Sequence, residues 1–245
     1  MQWGLRVGSG RVLIKSGPEI TEPKNASEIN VNSNIFMLDN LSKNQKLIMP
    51  TSNSAYGVGD KNNFCDENSE LKPLSTYAKD KVFIENELLN SQNFISLRLA
   101  TVFGMSPRMR LDLLVNDFVY RACRDNFVVL YESHFKRNYV HISDVTDLII
   151  YCISNFDKMK NNVFNVGLSD ANLSKLELCE KIKDYLPNFK IIIDEFEKDE
   201  DQRNYIVSNK KIEKTGFKPK YSISDGIKEL IKGYKMIKNQ NFGNF

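Results

Sequence analysis

Lys46-Leu-Ile-Met-Pro-Thr-Ser-Asn-Ser-Ala-Tyr-Gly57 begins as a short apolar run and ends in hydroxyl-bearing residues and a glycine, a pattern that predicts a strand and a turn. After a polar loop the chain continues with Leu74-Ser-Thr-Tyr-Ala-Lys-Asp-Lys81, which predicts the first turns of a helix. Tyr77 and Lys81 are four residues apart, so on a helix both side chains lie on one face. A serine at the end of the strand, such as Ser52, can meet that face in one pocket. The sequence therefore predicts a proton-transfer site, in which an ammonium group favours the ionised form of a phenol and a hydroxyl orients the substrate oxygen.

This pattern resembles the extended short-chain dehydrogenase/reductase family, and within it the NAD-dependent nucleotide-sugar epimerases and dehydratases. Ser52 precedes Tyr56 of a Tyr-Gly turn by four residues, and the Tyr-x-x-x-Lys motif follows at the distance typical of that family. Tyr234 and Lys238 have the same mutual spacing without a strand-end serine before them, so that motif alone is a weak signal. The ordinary alternatives are a serine that caps the backbone and a Tyr/Lys pair on a solvated helix face.

The resemblance implies a role for each residue of the predicted site. Tyr77, as a phenolate, would take the proton of the C4 hydroxyl of a nucleotide-linked sugar while NAD accepts the hydride. Lys81 would favour the phenolate and bind the nicotinamide ribose, so that both residues also contact the cofactor. Ser52 would hydrogen-bond the reacting oxygen, with help from Ser54. A dehydratase of this family usually has Asp-Glu where this sequence has Asn53 and Ser54, so an epimerase or a 4-dehydrogenase is favoured.

Four further residues lie in segments that are similar to the cofactor- and substrate-binding segments of the family. Asn30, in a predicted helix, either faces the nicotinamide ribose or is an ordinary polar helix residue. Thr101 lies near the end of a predicted buried strand, Phe94–Gly104, and would line the nicotinamide and the sugar, although many relatives have asparagine there. Arg137 would grip the diphosphate, because a guanidinium fork suits phosphate oxygens, or it is a surface arginine. Arg203 would contact the nucleotide ribose or the diphosphate.

The order of strands and helices, with the resemblance, implies an α/β fold. We expect a Rossmann-like parallel sheet that lacks its N-terminal strands, together with a smaller C-terminal α/β substrate-binding lobe. The expected divisions are an irregular leader over 1–17, a partial dinucleotide-binding domain over 18–104, a mixed, mainly sugar-nucleotide-binding lobe over 105–235, and a tail over 236–245. The glycines of the leader do not have the Gly-x-x-Gly-x-x-Gly spacing of a phosphate-binding loop. Two or three strand–helix units of the family, roughly 60–90 residues, are therefore expected to be absent.

The expected absence of this loop leaves two functions open. Without it, NAD affinity should fall severely, because the amides at a helix N-terminus that hold the pyrophosphate are missing. The sheet would also expose an unpaired strand edge. The first function is an NAD-dependent sugar-nucleotide enzyme whose N-terminal half is cut short or supplied by another chain. The second is a non-catalytic remnant or partner subunit that binds a nucleotide sugar through Arg137 and Arg203.

The composition favours a soluble globular protein and no nucleic-acid partner. Of 245 residues, 41% are hydrophobic and 27% are charged, and the net charge of +3 is scattered rather than gathered in a basic stripe. No apolar run approaches the roughly 20 residues of a membrane helix. The four cysteines lack metal-ligand spacing, which predicts reduced thiols, no metal site and a cytoplasmic location. The acidic run Asp194–Asp201 predicts a solvated face, and the resemblance admits a homodimer.

Overall fold

The computed structural model describes residues 4–7, 10–13, 23–59, 63–196 and 201–236, with 4–7, 10–13 and 23–26 described by their backbone alone. Strands and helices alternate through most of this part of the chain. In chain order the elements are β1 (Gly4–Val7), β2 (Gly10–Leu13), α1 (Pro23–Asp39), β3 (Leu47–Ser52), a 3-10 turn (Asn53–Tyr56), α2 (Thr76–Leu89), β4 (Phe94–Leu99), β5 (Thr101–Phe103), α3 (Leu114–Arg124), β6 (Phe127–Tyr131), β7 (Lys136–His141), α4 (Ile142–Ser154), α5 (Phe156–Met159), β8 (Asn162–Val166), β9 (Asn172–Ser174), α6 (Lys175–Lys183), β10 (Lys190–Asp194), α7 (Lys210–Glu213) and α8 (Ile223–Met236).

A three-stranded parallel sheet in the order β3-β4-β8 positions the candidate site. Its middle strand, β4, is buried on both faces, since Ile95 and Leu97 pack toward α4 while Ser96 and Arg98 point toward α2. Burial of both faces is the expected environment of a parallel strand covered by helices. This arrangement confirms the predicted α/β fold with a parallel sheet.

Strand β3 lies at the edge of this sheet in the described part of the chain. The Leu47 amide donates to the Asn93 oxygen at 2.9 Å, so the backbone groups of alternate residues from Leu47 onward face β4. The backbone of Pro50 therefore faces the other edge, where proline leaves one donor fewer for a neighbouring strand. The carbonyl oxygen of Pro50 accepts a hydrogen bond from Lys81 Nζ at 3.3 Å. The open edge of β3 is thus the side of the sheet on which the motif lysine lies.

A second group of strands begins where β4 ends. The prediction of one continuous buried strand over Phe94–Gly104 is wrong, because the strand is interrupted at Ala100. Before the interruption, β4 pairs within the first sheet; after it, β5 pairs in parallel with β7, which in turn pairs antiparallel with β9. β6 and β10 form a separate parallel pair. Helices α3, α6 and α8 supply the apolar core beside these strands, with Val115, Leu178 and Ile227 fully buried.

Within the predicted leader, β1 and β2 pair as an antiparallel hairpin in which Gly4 lies opposite Leu13. The proposed division of the chain into leader, two domains and tail stays a prediction. Across the described ranges, no helix has both the length and the apolar character that crossing a membrane requires. Each of the four cysteines is a free thiol.

Candidate active site

Ser52 ends β3 and begins the 3-10 turn that follows it. As the N-cap of that turn, its Oγ accepts a hydrogen bond from the Ser54 amide at 3.1 Å. The same Oγ donates to Ser54 Oγ at 3.0 Å. The capping role that sequence reasoning offered as the ordinary alternative is therefore present, and it fixes the side chain at the carboxyl end of the strand.

The beginning of α2 is set by Ser75, whose side chain accepts a hydrogen bond from the Ala78 amide at 3.2 Å. This cap places Tyr77 in the first turn of the helix and Lys81 one turn later. Lys81 Nζ lies 5.8 Å from the centroid of the Tyr77 ring, in addition to its hydrogen bond with the Pro50 oxygen. Because Pro50 is two residues before Ser52 on β3, the lysine joins the Tyr/Lys face of α2 to the strand end that carries the serine.

Arg203 arrives at this site from a loop almost 150 residues later in the chain. Its Nη1 donates a hydrogen bond to Ser54 Oγ. The ionised Tyr77 phenol is among the charges that raise the pKa of Arg203, so the two side chains lie close enough to interact electrostatically. Tyr205 also forms a hydrogen bond with the Ser54 side chain. The site therefore joins the strand end, the beginning of α2 and the loop around Arg203.

Asp201 holds the two arginines together. It pairs with Arg203 in a fork, with Nε–Oδ1 at 2.6 Å and Nη2–Oδ2 at 2.5 Å. Arg137 Nη2 lies 3.2 Å from Asp201 Oδ1, and the Arg137 guanidinium lies 5.6 Å from the centroid of the Tyr205 ring. Arg137 is 2% exposed, so it is not the surface arginine of the alternative interpretation. Two guanidinium groups and one carboxylate leave a net positive charge beside the Ser54 hydroxyl.

Burial and charge pull in opposite directions on these groups. Burial alone would raise the pKa of Asp201, but hydrogen bonds from Arg203 and the charges of Arg203 and Arg137 hold that pKa well below its ordinary value. For Arg203, burial would lower the pKa, but the hydrogen bond to Asp201 and the charges of Tyr205 and Asp201 raise it. Burial raises the pKa of Tyr205, although both arginines oppose this shift. The Arg203 guanidinium therefore stays charged and Asp201 stays ionised at neutral pH.

The expectation that the acidic run Asp194–Asp201 is a solvated face is wrong for Asp201. Its side chain is 35% exposed and is paired with both arginines. Sequence reasoning missed Asp201 because one of its partners, Arg137, lies far from it in the chain, on β7. It also missed Tyr205, for which the spacing of two residues from Arg203 was the available signal.

A buried polar network holds the 3-10 turn in place below the site. Glu85 of α2 pairs with Arg98 of β4 at 2.6 Å, and its other oxygen accepts from Thr51 Oγ1 at 2.9 Å. Arg98 Nη1 donates to Tyr56 Oη at 2.9 Å, and this hydroxyl donates to Asn165 Oδ1 at 2.7 Å. The helix that carries Tyr77 and the turn that carries Ser54 are therefore attached to the same group of side chains.

Three polar residues near the motif stand outside this set of contacts. Asn53 is completely buried, and within the described part of the chain neither its Oδ1 nor its Nδ2 has a hydrogen-bond partner. Asn30 lies on α1, which packs against α2, and its backbone oxygen accepts from Asn34 Nδ2 at 2.5 Å. Thr101 is half-buried at the start of β5, where it pairs with Tyr139. The cofactor-binding roles of Asn30 and Thr101 stay predictions.

A comparison with protein-family models identifies the lineage of this chain. The model for the NAD dependent epimerase/dehydratase family matches residues 15–167, which include β3, α2 and the sheet β3-β4-β8. The chain belongs to the NAD dependent epimerase/dehydratase family. The matched range contains Ser52, Tyr77 and Lys81, whereas Arg203 and Asp201 lie beyond it.

The curated proteins that match this chain are distant relatives. An uncharacterized protein of Methanocaldococcus jannaschii is 29% identical over 214 residues, covering 80% of this chain and 61% of that protein. The CDP-paratose 2-epimerase of Salmonella typhi is 24% identical over 235 residues, covering 83% and 70%. Two curated relatives are each matched over only about three-fifths of their length.

A solved structure shows the same fold. The UDP-glucose 4-epimerase of Thermotoga maritima, solved with UDP-glucose, superimposes with a TM-score of 0.73 at 23% identity, covering 89% of this chain and 73% of that one. This likeness supports the same conclusion as the sheet topology, that the chain has the α/β fold of the family.

Proposed function

We propose that this chain is the catalytic and substrate-binding part of an NAD-dependent nucleotide-sugar epimerase or 4-dehydrogenase. The observation that carries the proposal is a pair of contacts on either side of Ser52: Lys81, on the helix of Tyr77, donates to the Pro50 oxygen, and Arg203 donates to the Ser54 hydroxyl. The arginine pair Arg203 and Arg137, joined by Asp201, therefore lies beside the strand end that the motif lysine also contacts. A sugar hydroxyl and a diphosphate are the two groups that such a site suits.

Each side chain has a defined task in this proposal. Tyr77, as a phenolate, takes the proton of the C4 hydroxyl, and the positive charge of Lys81 favours that phenolate. Ser52 orients the reacting oxygen by a hydrogen bond, with Ser54 at its side. Arg203 and Arg137 hold the diphosphate by charge-assisted hydrogen bonds. Asn53 and Ser54 carry no group that can take a proton from carbon, so a dehydration step at this position is not proposed.

NAD is the proposed cofactor, and the residues present suit one end of it. Tyr77 and Lys81 would hold the nicotinamide ribose, at the open edge of β3. When bound there, NAD supplies the acceptor for the hydride from C4. The pyrophosphate end needs a strand, a glycine-rich turn and a helix N-terminus. In residues 4–7 and 10–13 the chain instead forms an antiparallel hairpin, so we expect weak NAD binding by this chain alone.

Calorimetric titration of the full chain tests the proposal. The probes are NAD, UDP-glucose, dTDP-glucose, GDP-mannose and CDP-glucose, each titrated separately. We expect at least one nucleotide sugar to bind, and Arg203→Gln to weaken that binding at least about tenfold, or about 1.4 kcal/mol. Arg121→Gln is the matched control, because Arg121 forms its own exposed ion pair with Asp117 on α3 at 2.8 Å.

The outcomes separate the two functions. Binding of a nucleotide sugar together with NAD supports the enzyme. Binding of a nucleotide sugar without NAD at millimolar concentration supports the non-catalytic remnant instead. If none of the nucleotide sugars binds, the proposal is contradicted.

A further inference from the structure

The hydroxyl of Ser54 connects two parts of the candidate site that do not touch each other in any described hydrogen bond. On one side, Ser52 Oγ donates to Ser54 Oγ at 3.0 Å. On the other side, Arg203 Nη1 donates to the same oxygen. A serine oxygen has two lone pairs, so these two donors fill its accepting capacity. Ser54 is therefore a one-residue bridge between Arg203 and Ser52.

The proton of Ser52 has a defined direction in this arrangement. A hydroxyl carries one proton, and that of Ser52 points to Ser54 Oγ. The oxygen of Ser52 meanwhile accepts the Ser54 amide proton at 3.1 Å. The direction of the Ser52 hydroxyl thus depends on the position of the Ser54 hydroxyl, which also accepts the hydrogen bond from Arg203.

Arg203 is itself held in a fixed orientation. Its Nε and Nη2 form the two arms of the fork with Asp201, which leaves Nη1 directed at Ser54. Asp201 is tied in turn to the buried Arg137 at 3.2 Å. A guanidinium held at both ends is a pre-organised donor, which is what a residue needs if it is to position another side chain precisely.

We propose that Arg203 is a positioning residue that, through the Ser54 hydroxyl, holds the Ser52 proton directed at Ser54 Oγ in the ligand-free chain. Ser52 must turn this proton toward the substrate before it can donate to the reacting oxygen, and this turn couples the arginine pair to the reacting-oxygen site. The inference rests on the proposed function, because it assigns Ser52 to the reacting oxygen. Coupling of this kind is reciprocal: a ligand that moves Arg203 changes the Ser52 hydroxyl, and a ligand on Ser52 changes Arg203.

The electrostatic relation between Arg203 and Tyr77 supports the same coupling. The ionised phenol is one of the charges that stabilise the protonated guanidinium. Coulomb attraction is mutual, so Arg203 also favours the ionised form of Tyr77. Removal of the Arg203 charge should therefore change the hydrogen bonding of Ser52 and also the titration of Tyr77. A loss of packing that leaves the charge in place should not change the titration of Tyr77.

The test uses the ligand-free full chain, so it stays informative even if no nucleotide sugar binds. Hydrogen exchange of the Ser54 amide, measured by NMR relative to the Leu97 amide at the centre of the sheet, reports the hydrogen bond to Ser52 Oγ. We expect Arg203→Gln to accelerate this exchange at least about fivefold, as for the loss of one ordinary hydrogen bond. Arg203→Lys should restore part of the protection, because an ammonium can still donate to Ser54. Arg121→Gln is the remote control and should leave the exchange unchanged.

The second readout is the titration of Tyr77. It is measured by NMR as the chemical shift of the ring carbon that bears the hydroxyl in labelled tyrosine, and the signal is assigned by its loss in Tyr77→Phe. Arg203→Gln should move the titration midpoint of Tyr77 to higher pH, and Arg203→Lys should move it less. The proposal requires both results. Wild-type exchange at Ser54 or a wild-type midpoint for Tyr77 in Arg203→Gln overturns it.

Discussion

Substitution of Glu85 by alanine is expected to destabilise the chain more than any change on the exposed faces of α2. Glu85 is 2% exposed and accepts hydrogen bonds from Arg98, from Thr51 at 2.9 Å and from Ser96 at 2.8 Å. Its loss leaves the guanidinium of Arg98 buried without its counter-charge. Breaking a buried ion pair by removing one partner costs about 3–5 kcal/mol. For a chain of this size, that cost lowers the melting temperature by about 6–20 °C.

Urea unfolding followed by circular dichroism measures this cost. The matched control is Glu87→Ala on the same helix, where the change should stay within about 0.5 kcal/mol. The double variant Glu85→Leu with Arg98→Met should recover much of the loss, because replacing a whole buried pair by apolar side chains is often neutral. A Glu85→Ala variant that unfolds at the same urea concentration as Glu87→Ala would refute the reasoning, since the network would then not hold the turn below the site.

Three further predictions concern the surroundings of the site. In the same urea assay, Asn53→Ala should lower the free energy of unfolding by at least about 1 kcal/mol less than Asn165→Ala does. Both side chains are fully buried, but among the residues that the structure describes only that of Asn165 has hydrogen-bond partners to lose. The pKa of Asp201 is lower in the folded than in the unfolded chain, so its ion pairs stabilise the fold at neutral pH. This stability is lost as the pH falls below about 4, the ordinary pKa of an aspartate, toward the lower pKa of the folded chain. The stability difference between the wild type and Asp201→Asn should therefore shrink between pH 6 and pH 3, and a difference that grows would contradict the sign. Gly57→Ala should lower the melting temperature by several degrees, because Gly57 has φ +59° and an added Cβ would lie 1.9 Å from the Lys72 oxygen; an unchanged melting temperature would contradict this account of the turn.

The local part of the candidate site could be predicted from the sequence. Ser52, Tyr77 and Lys81 lie within one strand–turn–helix unit, and helical spacing alone puts Tyr77 and Lys81 on one face. The cap at Ser75 and the strand end at Ser52 follow from residue types that favour these positions. Short-range rules are sufficient where the partners are close in the chain.

The rest of the site depends on contacts between distant segments. The hydrogen bond from Arg203 to Ser54 spans 149 residues, and the ion pair of Asp201 with Arg137 spans 64 residues. A charge pattern cannot tell whether an acidic residue faces water or a buried arginine, which is why Asp201 was predicted to be solvated. The break of the predicted strand at Ala100 has a similar cause, because the residues on its two sides pair with different sheets.

The helix after β7 gives a further case. Ser143 and Asp144 are of the residue types that favour helix N-caps, so the sequence favours them as the cap of this helix. In the structure the cap is His141, whose Nδ1 accepts from the Ser143 amide at 3.2 Å. Asp144 instead accepts from the backbone amides of Lys220 and Tyr221, at 2.7 and 3.2 Å. The partner that decided its role comes from the last part of the chain.

The most direct test of the central claim, that a phenol, an amine and a hydroxyl act together on a sugar hydroxyl, is the absorbance at 340 nm when the chain is mixed with saturating NAD and a nucleotide sugar that it binds. The account predicts that NADH appears with the wild-type chain, as a transient of at most one equivalent if the 4-keto sugar is reduced again at the site, and continuously if the 4-keto sugar leaves. It also predicts that Tyr77→Phe slows this step at least about 100-fold while leaving the affinity for the nucleotide sugar nearly unchanged. NADH formation at the wild-type rate in Tyr77→Phe would contradict it.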